Sequence, residues 1–288
     1  MSRVGFVGLG NIGKPMALRL AAAEGVDLRV YDVAADPVAA LTGAGAKAAA
    51  GVGELAAAVD VLCLMVRDDA QVRDLLDDVL DHAARRRSER RLVVVVHTTV
   101  APDTPAALAA RASEHGVLLV DAPVSGGAMG AAEGTLAVLV GGPEEAFAVA
   151  APILRLLGNK VVHVGPVGAG TRFKLARNLM HFVAFTAATE AQRLAEAAGL
   201  DLVELGDVVR HTDSVTGGPG AIMHRDTTAP LDRADSWYSV FEHVRDLGEK
   251  DLGFACELAD ELGVDVPLAK LALHRLGPGL GLPDKDSA

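Results

Sequence analysis

Three groups of residues along this 288-residue chain have types and spacings that could do chemistry. The first is Gly8-Leu9-Gly10-Asn11-Ile12-Gly13, which fits the pattern Gly-x-Gly-x-x-Gly. In that pattern the first glycine permits a tight turn, the second lets the backbone approach a pyrophosphate, and the third lets a helix pack closely on a strand. The helix start then offers unpaired N–H groups and a partial positive charge to phosphate oxygens. Glycine is common in this chain, so the pattern needs its context. It has one, following the apolar run 3–8 and opening the Ala/Leu-rich stretch 16–24. The second group is Asp32, at the end of the next apolar run, where a carboxylate can accept hydrogen bonds from both hydroxyls of a ribose. Val33, Ala34 and Ala35 follow, and none carries a positive charge to receive a 2′-phosphate. Together these features predict NAD in preference to NADP. The third group is Ser125-Gly126-Gly127, where a hydroxyl and backbone N–H groups after a strand end can cradle an anion.

Such residues work only if a scaffold brings them together. Apolar runs at 3–8, 28–32, 61–66, 92–96, 117–121, 136–141 and 161–164 read as strands. Helical patterns separate them, one with Val72, Leu75, Leu76, Val79 and Leu80 on a single face. Over the first hundred residues, strands that are apolar throughout, alternating with helices, predict a parallel sheet covered on both faces. After Gly168-Ala169-Gly170 the texture changes, and from 171 to 198 no Pro or Gly interrupts an apolar helical spacing. At 1.5 Å per residue that is about 40 Å of helix. The remainder reads as helical, with breaks at Gly217-Gly218-Pro219-Gly220 and near 265–267, and the last dozen residues read as a frayed tail. The expected fold is an α/β N-terminal Rossmann-type dinucleotide-binding domain over 1–164, plus an all-α C-terminal domain over 165–288 linked by a long helix.

Composition narrows the partners. Half the residues are hydrophobic and 23% are charged, which excludes a disordered or collagen-like chain. A net charge of −11 lacks the basic footprint of a duplex-binding protein, so no nucleic-acid partner is expected. The one basic cluster, from Arg85 to Arg91, reads as a solvated connection. Cys63 and Cys256 cannot build a disulfide framework, and no Cys/His spacing suggests a metal. No apolar run approaches the ~20 residues that span a bilayer. The apolar N-terminus lacks a basic region or cleavage site. The expectation is a cytoplasmic protein with no membrane partner.

With these residues placed, the chain resembles the β-hydroxyacid dehydrogenase family over about residues 3–272. Four motifs carry the resemblance: the run from Gly5 to Met16 at the glycine turn; Asp121-Ala122-Pro123-Val124-Ser125-Gly126-Gly127; Gly168-Ala169-Gly170 followed by Lys174 and Asn178; and Lys250-Asp251-Leu252. The resemblance implies reversible, NAD-dependent oxidation of the hydroxyl of a small hydroxy acid. It also implies a homodimer or homotetramer formed through the helical domain. Lys174 matches the family's catalytic lysine. Burial and the positive helix end would lower its pKa, as a proton acceptor at working pH requires. Asn178, four residues on and so on the same face, would fix the hydroxyl's position. The resemblance assigns the substrate to Ser125, Gly126, Gly127 and Thr98, the first three for its carboxylate, and matches Thr98 and Thr99 to a hydroxyl pair that lies against the nicotinamide ribose. It assigns the cofactor to Gly8, Leu9, Gly10, Asn11, Ile12, Gly13, Asp32, Met65, Val66, Thr99 and Lys250. An exposed Lys250–Asp251 pair is the alternative for the last of these.

The chain also departs from the family pattern. Val96 replaces an aspartate two residues before the hydroxyl pair Thr98-Thr99, and His97 stands where a hydrophobic residue is common. His181 shares the helix face of Lys174 and Asn178, so it either meets the substrate or packs in a core. Gly217–Gly220 and Trp237-Tyr238 lie where the family sets its substrate selectivity. Two rival readings are an imine reductase-like enzyme of the same fold and a non-catalytic NAD-binding regulator. Relatives that reduce imines generally lack the lysine, and a regulator would need neither Lys174 and Asn178 nor the Ser125 loop.

Overall fold

A computed structural model describes residues 2–83 and 91–283. Among these residues the strands are β1 (Ser2–Val7), β2 (Val26–Tyr31), β3 (Lys47–Ala48), β4 (Val61–Leu64), β5 (Val93–Val96), β6 (Leu118–Asp121), β7 (Val124–Ser125), β8 (Ala137–Gly141) and β9 (Lys160–Gly165). The helices of the same region are α1 (Gly13–Ala21), α2 (Ala35–Gly43), α3 (Val52–Ala58), α4 (Asp69–Ala83), α5 (Thr104–Glu114), α6 (Gly127–Glu133) and α7 (Glu144–Leu157). Beyond them come α8 (Ala169–Ala197), α9 (Leu202–Thr216), α10 (Tyr238–Leu262) and α11 (Pro267–Gly279).

The strands form one sheet in the order β3-β2-β1-β4-β5-β6-β8-β7, with β9 paired to β8. From β3 to β6 every pairing is parallel. Alternate residues of β1, β4 and β5 enter two separate cores, as the continuous apolar runs require. Phe6, Cys63, Val93 and Val95 face α1 and α7, packing with Met16, Leu20, Ala150 and Leu154. Val7, Leu62, Leu64, Val94 and Val96 face the other way, toward Leu55, Leu76 and Leu108 of α3, α4 and α5. Fully buried Leu and Phe side chains of this kind contribute roughly 1.5–3 kcal/mol each, so the sheet is held from both faces.

Beyond β6 the sheet is not wholly parallel. β8 runs antiparallel to β6 and to β7. Between Ser125 and Ala137 the chain carries only the seven-residue helix α6, short of the dozen or more residues that a parallel crossover takes. A single side chain ties this region down from outside. The Arg19 guanidinium donates to Leu156 O at 3.3 Å and to Ala132 O at 3.4 Å. A cation is thus placed at the carboxyl ends of α7 and α6, where the helix dipoles favour it.

The chain divides into two compact units, one up to Arg177 and one from Asn178 onward. The change of texture near residue 165 precedes this division, because the first turns of α8 pack with the sheet. The second unit holds two small cores, around Tyr238, Phe241, Leu280 and Leu282, and around Cys256, Ala259 and Val266. Glu190 is buried and accepts N–H bonds from Leu268 and Ala269, both at 2.9 Å. It therefore satisfies two of the orphan donors at the start of α11.

The tail expectation needs correction in part. Leu280 and Leu282 are both 4% exposed, and Leu231 N–H bonds to Gly281 O at 2.8 Å, so residues up to 282 close a core. Residues 284–288 lie outside the described residues, as does the basic cluster apart from Arg91, which pairs with Glu145 at 3.1 Å. Among the described residues no helix is long and apolar enough to cross a membrane, and no group of His, Cys, Asp and Glu side chains could hold a metal ion.

Candidate functional site

The carboxyl ends of β1, β2 and β4 border a cleft of about 500 Å³. That edge is where ligands bind in open sheets of this kind. Gly8, Gly10, Asn11, Ile12 and Gly13 line it on one side. Gly8 has φ +89°, and a Cβ there would sit 2.1 Å from Met65 O. A Cβ at Gly13 would sit 1.9 Å from Gly8 O, so α1 can start against the turn only with glycine. At Gly10 a Cβ would meet nothing within 4 Å. That space lies before the start of α1, whose first N–H groups have no side-chain cap. The donor set fits a dinucleotide pyrophosphate.

Asp32 and Val33 face Met65 and Val66 across the same cleft. The Asp32 carboxylate also holds the turn, accepting Leu9 N–H at 2.6 Å and Ala34 N–H at 2.8 Å. Leu9 itself is buried and lends only that backbone donor. Sequence reasoning missed the polar lining residues Tyr31, Arg67, Gln71 and Asp74. Arg67 matters most, because it brings a cation that the residues after Asp32 lack. Its guanidinium lies 3.3 Å from Asp68 Oδ2. The signal that could have found it is its place directly after the Met65-Val66 pair at the end of β4.

The end of β5 serves the structure more than the sequence suggested. Thr98 is 3% exposed, and its hydroxyl donates to Val66 O at 3.0 Å and accepts Val66 N–H at 2.9 Å. It was expected to meet the substrate; instead its hydroxyl proton is spent holding the cleft wall. Thr99 beside it is exposed. His97 is 1% exposed, stacks on Phe6, and lies 2.8 Å through Nδ1 from Ala122 O. Only an N–H at Nδ1 can pair with a carbonyl, which leaves Nε2 as a bare acceptor. Burial pushes the His97 pKa down to about 4, so the ring is neutral at working pH.

Ser125 ends β7 half-buried, followed by exposed Gly126 at φ +133° and Gly127 at φ +65°. An exposed glycine pair at positive φ is compatible with a backbone concavity for an anion. Lys174 lies in the second turn of α8 and is 8% exposed. Burial first, and the positive charge of Arg177 second, bring its pKa down to about 8. No carboxylate pairs with it among the described residues. Asn178 follows four residues on along the helix. His181 is half-buried, its ring 4.3 Å from that of Phe185. Lys250 stands on α10 as an exposed ion pair with Asp251 at 3.1 Å, which is the alternative reading of that residue. Gly217 ends α9 in the left-handed region, and Trp237 stacks on His224 at 5.0 Å just before α10.

Comparison with known proteins bears on this arrangement. A family model described as the NAD binding domain of 6-phosphogluconate dehydrogenase matches residues 3–165. A second, described as NAD-binding of NADP-dependent 3-hydroxyisobutyrate dehydrogenase, matches residues 168–277. The chain belongs to the β-hydroxyacid dehydrogenase family. Among family members, an uncharacterized oxidoreductase of Mycobacterium tuberculosis is 49% identical over 285 residues, covering 99% of this chain and 95% of that protein. An NAD-dependent L-serine dehydrogenase of Pseudomonas aeruginosa is 34% identical over 302 residues, covering 99% and 95%. The crystal structure of an oxidoreductase from Mycobacterium avium superposes with TM-score 0.91 at 44% identity, covering 98% and 99%. An imine reductase of Streptomyces aurantiacus, at 20% identity and TM-score 0.76 over 99% and 98%, shares the fold. Family membership makes a nicotinamide dinucleotide the cofactor class of this dehydrogenase.

Proposed function

We propose that this dehydrogenase oxidises the hydroxyl of a small β-hydroxy acid reversibly, with NAD as its preferred cofactor and Lys174 as the group that moves the proton. The observation that carries the reading is a buried amine without a carboxylate partner, its pKa brought down to about 8. A lysine so placed is a neutral acceptor for part of its population at neutral pH, which a solvated lysine is not.

The nicotinamide ring supplies the hydride acceptor when bound. The chain's own residues do the rest. In oxidation, neutral Lys174 Nζ takes the hydroxyl proton as the C–H bond gives up its hydride. In reduction, the Lys174 ammonium returns a proton to the carbonyl oxygen. Asn178, one turn on, orients that oxygen. The Ser125 hydroxyl and the Gly126 and Gly127 N–H groups receive the carboxylate. Asp32 favours NAD because its carboxylate accepts from ribose hydroxyls and repels a 2′-phosphate; Arg67 on the opposite wall is the feature that works against it. Thr99 completes the cofactor contacts.

Exposed apolar side chains support a homodimer through the helical domain. Leu179, Phe182 and Phe185 of α8 are 70%, 59% and 54% exposed, and α9 buries no residue. Faces like these need a partner.

The test is NADH formation with a panel of 3-hydroxyisobutyrate, 3-hydroxypropionate, glycerate, 4-hydroxybutyrate, serine and phenylserine. At least one β-hydroxy acid is oxidised with a higher kcat/KM with NAD than with NADP, and Lys174→Ala lowers kcat about 10²–10⁴-fold while NAD still binds. No turnover across the panel, or an active Lys174→Ala, overturns the reading.

A further inference from the structure

The Asp121 carboxylate is one of the most fully buried charges in the described chain, with no exposed surface. Burying a carboxylate is unfavourable unless hydrogen bonds replace its water. Its partners are two backbone donors around the start of α8: Gly168 N–H to Oδ1 at 2.7 Å and Thr171 N–H to Oδ2 at 2.6 Å. Among the described residues no cation pairs with it. A carboxylate on a helix start also sits where the helix dipole favours negative charge.

The packing around this contact leaves no slack. A Cβ at Gly170 would lie 2.2 Å from Leu139 O and 2.8 Å from Asp121 O. A Cβ at Gly141, the strand partner of Asp121, would lie 2.5 Å from Asp121 Oδ1. The first turn of α8 is therefore pressed onto the ends of β6 and β8. Lys174 lies three residues past Thr171, about one turn along the same helix. In the other direction Asp121 is followed at once by Ala122, whose carbonyl is anchored by His97, and then by the Ser125 loop. One side chain joins the element that carries the amine to the segment that receives the carboxylate.

We propose that Asp121 is the positioning residue for Lys174, its carboxylate fixing the start of α8 in register with the Ser125–Gly127 loop. The proposal rests on the reading of Lys174 as the proton carrier. Asp121 touches no reacting atom; it acts through the helix. Asparagine has the same size, but one of its two terminal atoms is a donor and would face a backbone N–H. A displacement of about 1 Å in a reacting group can cost about 10²-fold in rate.

The experiment is a double-mutant cycle read as kcat for hydroxy-acid oxidation, with the NAD dissociation constant measured separately by fluorescence. Asp121→Asn lowers kcat about 10²-fold and leaves NAD affinity within about threefold, because the glycine turn is untouched. In a Lys174→Ala background the same substitution changes the residual rate by less than about threefold, since nothing remains to position. An equal loss in both backgrounds would mean a general structural role and would overturn the proposal. So would a folded Asp121→Asn enzyme that keeps its kcat. Should that variant not fold, Thr171→Pro breaks the same bond from the helix side, in a first turn that tolerates proline, and is held to the same two outcomes. An active Lys174→Ala would instead refute the proton-carrier reading, so the two failures are separable.

Discussion

The pH profile of the forward reaction follows from the burial of Lys174. Only the neutral amine accepts a proton, and its pKa is brought down to about 8. About a tenth of the enzyme then carries neutral Lys174 at pH 7 and about nine tenths at pH 9. Oxidation of the best substrate should rise about tenfold between those values and level off above pH 9. A solvated lysine, titrating near its reference value of about 10.4, would give a rise of about a hundredfold with no plateau. Reduction of the semialdehyde or ketone needs the ammonium, so it should fall about tenfold over the same interval. Arg177 contributes by like-charge repulsion. Removing that charge in Arg177→Gln makes the ammonium easier to keep, so the midpoint should move to higher pH. The assay is initial-rate absorbance of NADH from pH 6 to 10 at saturating cofactor and substrate, in both directions. Lys174→Arg should lose about 10²–10⁴-fold in kcat, because a guanidinium keeps the charge and cannot release its proton. A flat profile, or oxidation and reduction moving in the same direction with pH, would refute the assignment.

Other outcomes follow from the same geometry. Gly10→Ala places a methyl group in open cleft space, so the melting temperature should hold while NAD affinity, measured by calorimetry, falls at least about tenfold; unchanged affinity would move the pyrophosphate elsewhere. Asp32→Ala should weaken NAD and narrow its advantage over NADP in kcat/KM, and a wild-type enzyme preferring NADP would contradict the ribose reading. His97 should make the protein acid-labile. Its folded pKa of about 4 lies below the ordinary histidine value of 6.5, so the unfolded chain binds the extra proton between those limits, and stability declines as pH falls from about 6.5 toward about 4, by about 3 kcal/mol in all. His97→Asn keeps a donor for Ala122 O and cannot titrate, so urea melts across that range should show a shallower decline than wild type.

What could be read from the chain beforehand was local. The glycine turn, Asp32 and the placement of Lys174 at the start of a long helix are patterns of neighbours, and neighbours are visible in sequence. The apolar runs likewise announced two-faced burial, and the two cores on either side of the sheet match it. Contacts across long separations were invisible. Asp121 and Thr171 are 50 residues apart in sequence, and nothing at either position signals the bond. Arg67 follows Met65-Val66 directly, but that it lines the same cleft as Asp32 depends on β4 lying beside β1. Thr98 looked like a ligand contact because a hydroxyl after a strand is ambiguous until its partner is known. The antiparallel course of β8 depended on a connection whose short helix was not recognised. Leu280 and Leu282 were lost among glycines, although they pack in one core with Tyr238 and Phe241.

The double engagement of Asp32 has a consequence for anyone redesigning this enzyme's coenzyme choice. The side chain that would be exchanged to admit a 2′-phosphate is also the one that accepts Leu9 N–H from the glycine turn and Ala34 N–H from the next segment. Selectivity and loop shape are therefore inherited together. A swap to serine with an arginine at Val33 changes the charge pattern but withdraws a support from the loop that must hold the pyrophosphate. Early variants in such a campaign should bind both coenzymes poorly before any of them binds NADP well. The useful companion change is a new acceptor for Leu9 N–H, and a library that varies only the ribose contacts will not contain it.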